Sequence, residues 1–335
     1  MGTALIHETT ATDAAPETAF RHIAACVHGT AGSELVIPHA LAIARAFGGR
    51  VTLFRVVESA TAGEPPTDPL EWDIRRHEAR EHLDQLARQS RGDVMVATEV
   101  IEGRAADQIC LWAERHHVDL TVVCRCDPAE SADWALAQAL LDQMPGSVLM
   151  VQAPVATDTS IGRYRRLLVP VDGSPRAESV LPLAVRVAAS AAAELLVAHV
   201  VPNPGLTEVG PLDAEDVDLQ ERITRRNVRV ATAYLDRLRA RFGTNGSPPR
   251  MIVLRDGDVR TRLERLVEDE GVDLVVLSSH GHSGRTSVPY GSVAADLVLH
   301  SPVPLLVVRP RARRAHLAMA PASSVWGRLP HQAAS

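Results

Sequence analysis

Two small-residue motifs in the last third of the chain have the residue types and spacing of an anion-binding loop. Ser278-Ser279-His280-Gly281 follows a short apolar run, and Gly291-Ser292 opens a helical pattern after nine intervening residues. Glycine lets a backbone approach an anion closely, and the unpaired N–H groups and dipole of a helix start favour negative charge. We therefore expect a phosphate here, with Ser292 at the N-cap position. Because Gly-Ser is also an ordinary helix cap, the loop alone leaves both interpretations open.

The elements that must position this loop alternate between strands and helices. Short apolar, β-branched runs predict buried strands, and apolar residues at helical spacing predict amphipathic helices. In this half of the chain we predict strands near 166–171, 195–201, 250–255, 273–278 and 304–309, and helices near 176–190, 214–242, 259–271 and 291–300.

The same pattern of elements occurs twice. Residues 27 to 57 align without a gap on residues 171 to 201 at a constant shift of 144, so that Val27 matches Val171. Further along the shift becomes 154, where Gly103 matches Gly257. Constant shifts over long stretches indicate a duplicated unit. We predict a first copy at 19–155 and a second copy at 162–310.

Alternating strands and helices imply right-handed crossovers and an open parallel sheet in each copy. Ligands in such sheets bind outside the carboxyl ends of the strands, where the winding reverses. The turn after Val169-Pro170-Val171 and the loop after Leu277 both lie at such ends.

Composition narrows the class of protein. The chain has 335 residues, enough for two domains, with 46% hydrophobic and 3% aromatic residues. A net charge of −6 gives no case for nucleic-acid or membrane binding, and four cysteines do not make a disulfide framework. The start has no signal-peptide pattern, so we expect a cytoplasmic protein. We expect residues 1–18 and 311–335 to be a disordered leader and tail.

The second copy resembles the universal stress protein family, and the chain is similar to a tandem, two-domain member. The resemblance covers about 18–155 and 162–310. The fingerprint of the ATP-binding branch is Gly, two residues, Gly, nine residues, then Gly-Ser or Gly-Thr. Here Ser278 stands for the first glycine, Gly281 for the second, and Gly291-Ser292 close the motif at the expected spacing. The resemblance implies two Rossmann-like domains of the adenine nucleotide alpha hydrolase type, each a five-stranded parallel sheet flanked by helices.

The resemblance also implies a ligand and its contacts. The ligand is ATP with Mg²⁺ or Mn²⁺ across the phosphates. Asp172 occupies the family's nucleoside-contacting position, Val200 follows the histidine of the second strand, and Gly257 lines the cleft. The implied ATP-binding residues are Pro170, Val171, Asp172, Gly173, Val200, Gly257, Ser278, Ser279, His280, Gly281, Gly291, Ser292 and Val293.

Other interpretations exist for the polar residues of this set. Asp172-Gly173-Ser174 is also a simple turn former, and His280 is also a capping or packing histidine. His282 and Arg285 could approach phosphates or belong to a solvated loop. We assign no catalytic residue. The leading hypothesis is an ATP-binding regulatory module of the stress response; a slow ATPase and a nucleotide-free adaptor protein are the alternatives.

The first copy has the same pattern of strands and helices but lacks the residues expected to bind phosphate. His28 replaces Asp172, and Cys124-Arg125-Cys126-Asp127 replaces Ser278 to Gly281. Asp127 and Glu130 place negative charge where a phosphate would lie, so we predict no ATP in this copy. Cys26, His28, Cys124 and Cys126 follow neighbouring strands and could converge on a metal, or the cysteines are simply small buried side chains.

The expected partners follow from the resemblance. Family members pair through their last strands, and a tandem chain can do so internally with Val148–Val151 beside Leu305–Val308, two short apolar runs that suit edge pairing. We expect an intrachain pseudo-dimer, a possible homodimer and an unknown protein partner, but no nucleic acid and no membrane.

Overall fold

The computed structural model describes residues 20–28, 32–58, 69–90, 92–125, 131–152, 162–205, 213–243, 248–255, 257–279 and 291–309. His280, Gly281, His282 and Arg285, with Cys126, Asp127, Glu130 and both chain ends, lie outside them. The described strands are β1 (His22–Cys26), β2 (Arg50–Val57), β3 (Val96–Glu102), β4 (Leu120–Arg125), β5 (Ser147–Gln152), β6 (Arg166–Pro170), β7 (Glu194–Val201), β8 (Arg250–Arg255), β9 (Leu274–Ser278) and β10 (Leu305–Val308).

The described helices connect these strands. They are α1 (Val36–Phe47), α2 (Pro69–Gln89), α3 (Ala105–Arg115), α4 (Ser131–Gln143), α5 (Pro175–Glu178), α6 (Leu181–Ala191), α7 (Ala214–Phe242), α8 (Val259–Asp269) and α9 (Ser292–His300). None of the described helices combines the length and the apolar character that crossing a lipid bilayer requires.

Each copy forms an open, five-stranded parallel sheet, as predicted. The strand order is β3-β2-β1-β4-β5 in the first copy and β8-β7-β6-β9-β10 in the second. The central strands are buried along nearly their whole length, because helices cover both faces, whereas the edge strands β3 and β8 are partly exposed.

The two sheets join into one sheet of ten strands. β5 and β10 pair in antiparallel register, with Met150 opposite Leu305 and Val148 opposite Val307. This is the intrachain pairing that the sequence predicts. Since each strand would otherwise leave an apolar edge unpaired, the pairing buries both edges within one chain.

Side chains from each copy also reach the other. On one face of the sheet α1 packs on α6, where the guanidinium of Arg186 donates from Nε to the carbonyl oxygen of Ala46 at 2.8 Å. On the opposite face Arg125 donates to the carbonyl of Leu299 at 3.0 Å, and Arg309 donates to the carbonyl of Met144. The two copies therefore share cores on both faces.

Helix ends follow local rules, with one correction to the predicted elements. α7 covers the predicted 214–242, with the Asp213 carboxylate accepting the amides of Glu215 and Asp216. The helix predicted at 176–190 is instead split into α5 and α6. Pro182 lies in the first turn of α6, where its missing N–H is tolerated, but it could not donate within a continuous helix.

Candidate functional site

The winding of the second copy reverses between β6 and β9. From β6 the chain proceeds to β7 and β8 on one side, whereas β9 and β10 lie on the other. The loops after β6 and β9 must leave the sheet in different directions, which opens a crevice at the carboxyl ends of these strands. Pro170 ends β6, Ser278 ends β9, and Val200 lies near the end of β7, so the structure brings these predicted site residues to one edge.

The turn after β6 is built by its own polar side chains. The Oδ1 atom of Asp172 accepts the amide of Ser174 at 3.0 Å, and the Oγ atom of Ser174 accepts the amide of Ala177 at 3.1 Å. Gly173 takes a φ of +84°, which a side chain would disfavour. Asp172 and Gly173 are exposed, whereas Val171 is buried. Asp172 therefore forms the turn and also presents its carboxylate at the crevice.

β7 is tied to this turn by a histidine. His199 Nδ1 lies 2.8 Å from the carbonyl oxygen of Val171, and the Val171 amide donates to the carbonyl of Ala198 at the same distance. The Tyr234 ring of α7 meets His199 edge-on at 6.0 Å, and burial raises the pKa of Tyr234. Val200, the next residue, is 8% exposed.

The sequence interpretation used His199 only as the neighbour of Val200 and did not select Tyr234. His199 and Tyr234 hold the turn after β6 in place beside the crevice. The position of Tyr234 on the apolar stripe of a long predicted helix was the available signal that it faces the sheet.

The two ends of the predicted phosphate loop are held together. The amide of Gly291 donates to the carbonyl of Ser279 at 2.9 Å, and the amide of Ser279 donates to the carbonyl of Val308 at 3.0 Å. Ser279 is buried, with 4% of its surface exposed. The start of α9 is thereby fixed beside the end of β9.

Among the described residues no side chain caps the N-terminus of α9, which corrects one sequence expectation. Gly291, not Ser292, is the N-cap residue, and Ser292 is the first helical residue, followed by Val293. Glycine offers no side-chain acceptor to the first amides. In contrast, α5, α7 and α8 are capped by the side chains of Ser174, Asp213 and Asp258. α9 thus begins without the side-chain acceptor that these three helices have.

Gly257 stands immediately before the helix cap of α8. Its φ of +155° lies in the range that favours glycine, and a Cβ atom there would approach the Arg262 side chain to 3.3 Å. Gly103 takes a φ of +131° at the matching place in the first copy. The duplicated conformation places Gly257 at a structural turn, and its predicted contact with a ligand remains a prediction.

The cysteine and histidine residues of the first copy do not form a metal site among the described residues. Cys26 is a free, buried thiol whose pKa burial raises to about 12, so it stays protonated near neutral pH. Cys124 is disulfide-bonded, which removes its thiolate. Cys26 is 2% exposed and belongs to no cluster of three metal-ligating side chains in the described ranges, so the buried-side-chain interpretation fits it better.

The fold and this edge define a class of protein: a duplicated, open parallel α/β unit with a crevice at the switch point of each sheet. Known proteins identify the family. The sequence model of the Universal stress protein family matches residues 19–152 and 163–309. The chain therefore belongs to the universal stress protein family.

Individual relatives agree with that assignment. Universal stress protein MJ0577 of Methanocaldococcus jannaschii is 23% identical over 155 residues, which are 44% of this chain and 95% of that protein. Universal stress protein YxiE of Bacillus subtilis is 25% identical over 152 residues, 44% of this chain and 99% of that protein. The crystal structure of a universal stress protein from Archaeoglobus fulgidus shares the fold at a TM-score of 0.62 and 16% identity, covering 87% of this chain and 98% of that one.

Proposed function

We propose that the second copy binds ATP in the crevice between β6 and β9, and that the first copy serves as a structural and interaction half. The start of α9 is the observation that carries this proposal. It is fixed to the end of β9 by the Gly291–Ser279 hydrogen bond, and its N-cap residue supplies no side-chain acceptor. Backbone amides at such a helix start are a ready site for phosphate oxygens.

The nucleoside would lie toward β6 and β7. The exposed Asp172 carboxylate at the turn is a hydrogen-bond acceptor for ribose hydroxyls, and the Val200 backbone lies at the same edge of the sheet for the adenine ring. Pro170, Val171 and Gly173 complete the wall of the turn. His280 and Gly281 belong to the proposed loop and lie outside the described residues.

Mg²⁺ or Mn²⁺ is proposed to accompany ATP. A divalent cation bridging phosphate oxygens keeps much of its water shell and needs few protein ligands, so we assign none. The described residues position the start of α9 and the turn at Asp172. This arrangement supports nucleotide binding and does not by itself indicate a particular reaction.

The proposed biological role is that of a cytoplasmic stress-response regulator whose state depends on bound nucleotide. This proposal rests on the geometry at α9 and on membership of the family.

A matched pair of substitutions tests which copy binds ATP. Ser292→Asp puts a carboxylate at the first residue of α9, and Ser131→Asp does the same at the first residue of α4. Acidic residues stabilise helix starts, so both variants should fold. We expect Ser292→Asp to weaken ATP binding by on the order of 100-fold through charge repulsion, and Ser131→Asp to leave it unchanged, as measured by calorimetry with MgATP.

The same measurements separate the alternatives. Absence of nucleotide after denaturing the freshly purified protein, together with no heat on titration with MgATP, would favour the nucleotide-free adaptor. Release of ADP at saturating MgATP, at a rate that falls in the His280→Ala variant, would favour the slow ATPase. Loss of binding in Ser131→Asp alone would move the site to the first copy and refute the proposal.

A further inference from the structure

A cavity of about 520 Å³ opens at the carboxyl edge of the first copy. The ends of β1 and β2 form its floor, α3 and α4 form one wall, and α2 contributes to the other. It occupies the place in this copy that the proposed nucleotide crevice occupies in the second. A volume of this size accommodates a small organic molecule. Its described lining residues include Val27, Phe54, Ile109, Leu136, Arg55 and Arg104.

The interior of the cavity is apolar and partly filled. Phe54 stands where the second copy has Ala198, and its buried ring packs against Trp112 with centroids 4.7 Å apart. Val27, Ile109 and Leu136 supply further aliphatic surface. The larger side chain at position 54 narrows the space beside the floor, so a hydrocarbon group in the cavity would contact its ring.

The rim of the cavity is cationic where the second copy is acidic or neutral. Arg104 matches Asp258 at the shift of 154, and Arg55 matches His199 at the shift of 144. In the described part of the chain, neither guanidinium makes a hydrogen bond or an ion pair, and Arg55 is half-buried. A third arginine of the rim, Arg75, already pairs with Glu71. Two guanidinium groups therefore line the cavity without an ion-pair partner among the described residues.

The start of α3 is closed to a phosphate group. The Oε1 atom of Glu58 accepts the amide of Ala105 at 2.7 Å, so a carboxylate of the protein already occupies the first amide of that helix. A polyphosphate would meet this charge and that of Glu78, another lining residue. Repulsion from the two carboxylates disfavours a multiply charged anion, whereas the two unpaired arginines favour a single negative charge.

We propose that this cavity binds a small monocarboxylic acid with an apolar body. The carboxylate would pair with Arg55 and Arg104, since the planar fork of a guanidinium matches two carboxylate oxygens, and the hydrocarbon part would contact Phe54, Ile109 and Leu136. The ligand class differs from the nucleotide proposed for the second copy, and this site does not depend on that proposal.

Octanoate is the probe, with 1-octanol as its neutral counterpart of equal chain length. Calorimetric titration of the full-length protein is expected to give one octanoate per chain with a Kd on the order of 0.1–1 mM, and at least 10-fold weaker binding of octanol. Saturating MgATP should leave the octanoate Kd unchanged, because the two sites lie in different copies. No saturable binding, or equal binding of octanol, overturns the proposal.

Two variants locate the site. Arg55→Met keeps an unbranched apolar stem and removes the guanidinium charge, and it should weaken octanoate binding 10- to 100-fold, whereas Arg229→Met, at an exposed position of α7, should not change it. Ala106→Phe fills the cavity from α3 and should abolish binding without removing a charge. Unchanged binding in Ala106→Phe would place octanoate elsewhere and refute the assignment, even if Arg55→Met failed to fold.

Discussion

His39 is a buried histidine at the contact between the two copies. It lies on α1 with 6% of its surface exposed, and its Nδ1 atom is 2.8 Å from the hydroxyl oxygen of Tyr164, which leads into β6. Burial lowers the pKa of His39 to about 4. Protonation of this side chain therefore opposes the packing of one copy on the other.

The pKa of His39 gives the pH dependence of stability a definite sign. Between pH 6.5, the ordinary histidine pKa, and pH 4 the unfolded chain binds a proton that the folded chain excludes, so stability falls as the pH is lowered through this window. The upper limit of this loss is about 3 kcal/mol. His39→Gln keeps a polar group beside Tyr164 but does not titrate.

We expect His39→Gln to flatten the dependence of the unfolding free energy on pH between 4 and 6.5, measured by urea denaturation at several pH values. His22, whose pKa is also lowered by burial, stays in the variant, so part of the slope will remain. An unchanged slope would mean that His39 is protonated in the folded protein.

At the scale of elements, α1 and α6 end in the same way with different residues. Gly48 follows α1 with a φ of +62°, and Ala192 follows α6 with a φ of +53°, at positions related by the shift of 144. The left-handed conformation is open to glycine but costs an L-residue about 1 kcal/mol or more. At the end of this helix, therefore, the second copy carries the strained residue and the first copy carries glycine.

This difference predicts that two substitutions change the free energy of unfolding in opposite directions. Ala192→Gly should raise the free energy of unfolding by about 0.5–1 kcal/mol, and Gly48→Ala should lower it by about 1 kcal/mol. A Cβ atom at position 48 would meet nothing within 4 Å, so the loss there reports backbone strain rather than a clash. Denaturant titration of both variants measures the two values, and changes of the same sign would contradict the argument.

Much of the element pattern was predictable from sequence because it rests on long, periodic runs. α7 has the predicted bounds, since its apolar stripe continues for many turns and Asp213 marks its start. The sequence prediction placed one helix where α5 and α6 are separate, although Pro182 is a signal for a helix start. The N-cap of α9 was misplaced by one residue, because Gly and Ser both cap helices and only backbone conformation distinguishes them.

The parts that sequence did not predict are contacts between distant positions. Arg55 and Arg104 belong to different elements that are far apart in the sequence, and only the fold brings them to one cavity. The hydrogen bond from His39 to Tyr164 depends on how α1 meets the second copy, and no local pattern carries that information.

At the scale of the whole molecule, the copies hold each other's helix ends. Arg309, at the end of β10, donates to the carbonyls of Leu141 and Met144 at the C-terminus of α4 in the first copy. Arg125, at the end of β4, donates to the carbonyls of Val298 and Leu299 at the C-terminus of α9 in the second copy. A positive charge at a helix C-terminus interacts favourably with the helix dipole. The N–H groups of the guanidinium also donate to carbonyls that the helix leaves unpaired.

The reciprocal arrangement predicts that each arginine protects the other copy. Arg309→Met should speed amide hydrogen exchange in α4, and Arg125→Met should speed it in α9, by roughly 10- to 100-fold for the last turn, in line with the loss of one or two charge-assisted hydrogen bonds. Hydrogen exchange with mass spectrometry resolves the two helices, and each variant is the control for the other. Faster exchange confined to the copy that carries the substitution would show that the two halves are stabilised independently. Faster exchange in the helix of the opposite copy would instead show that each copy contributes to the other's stability.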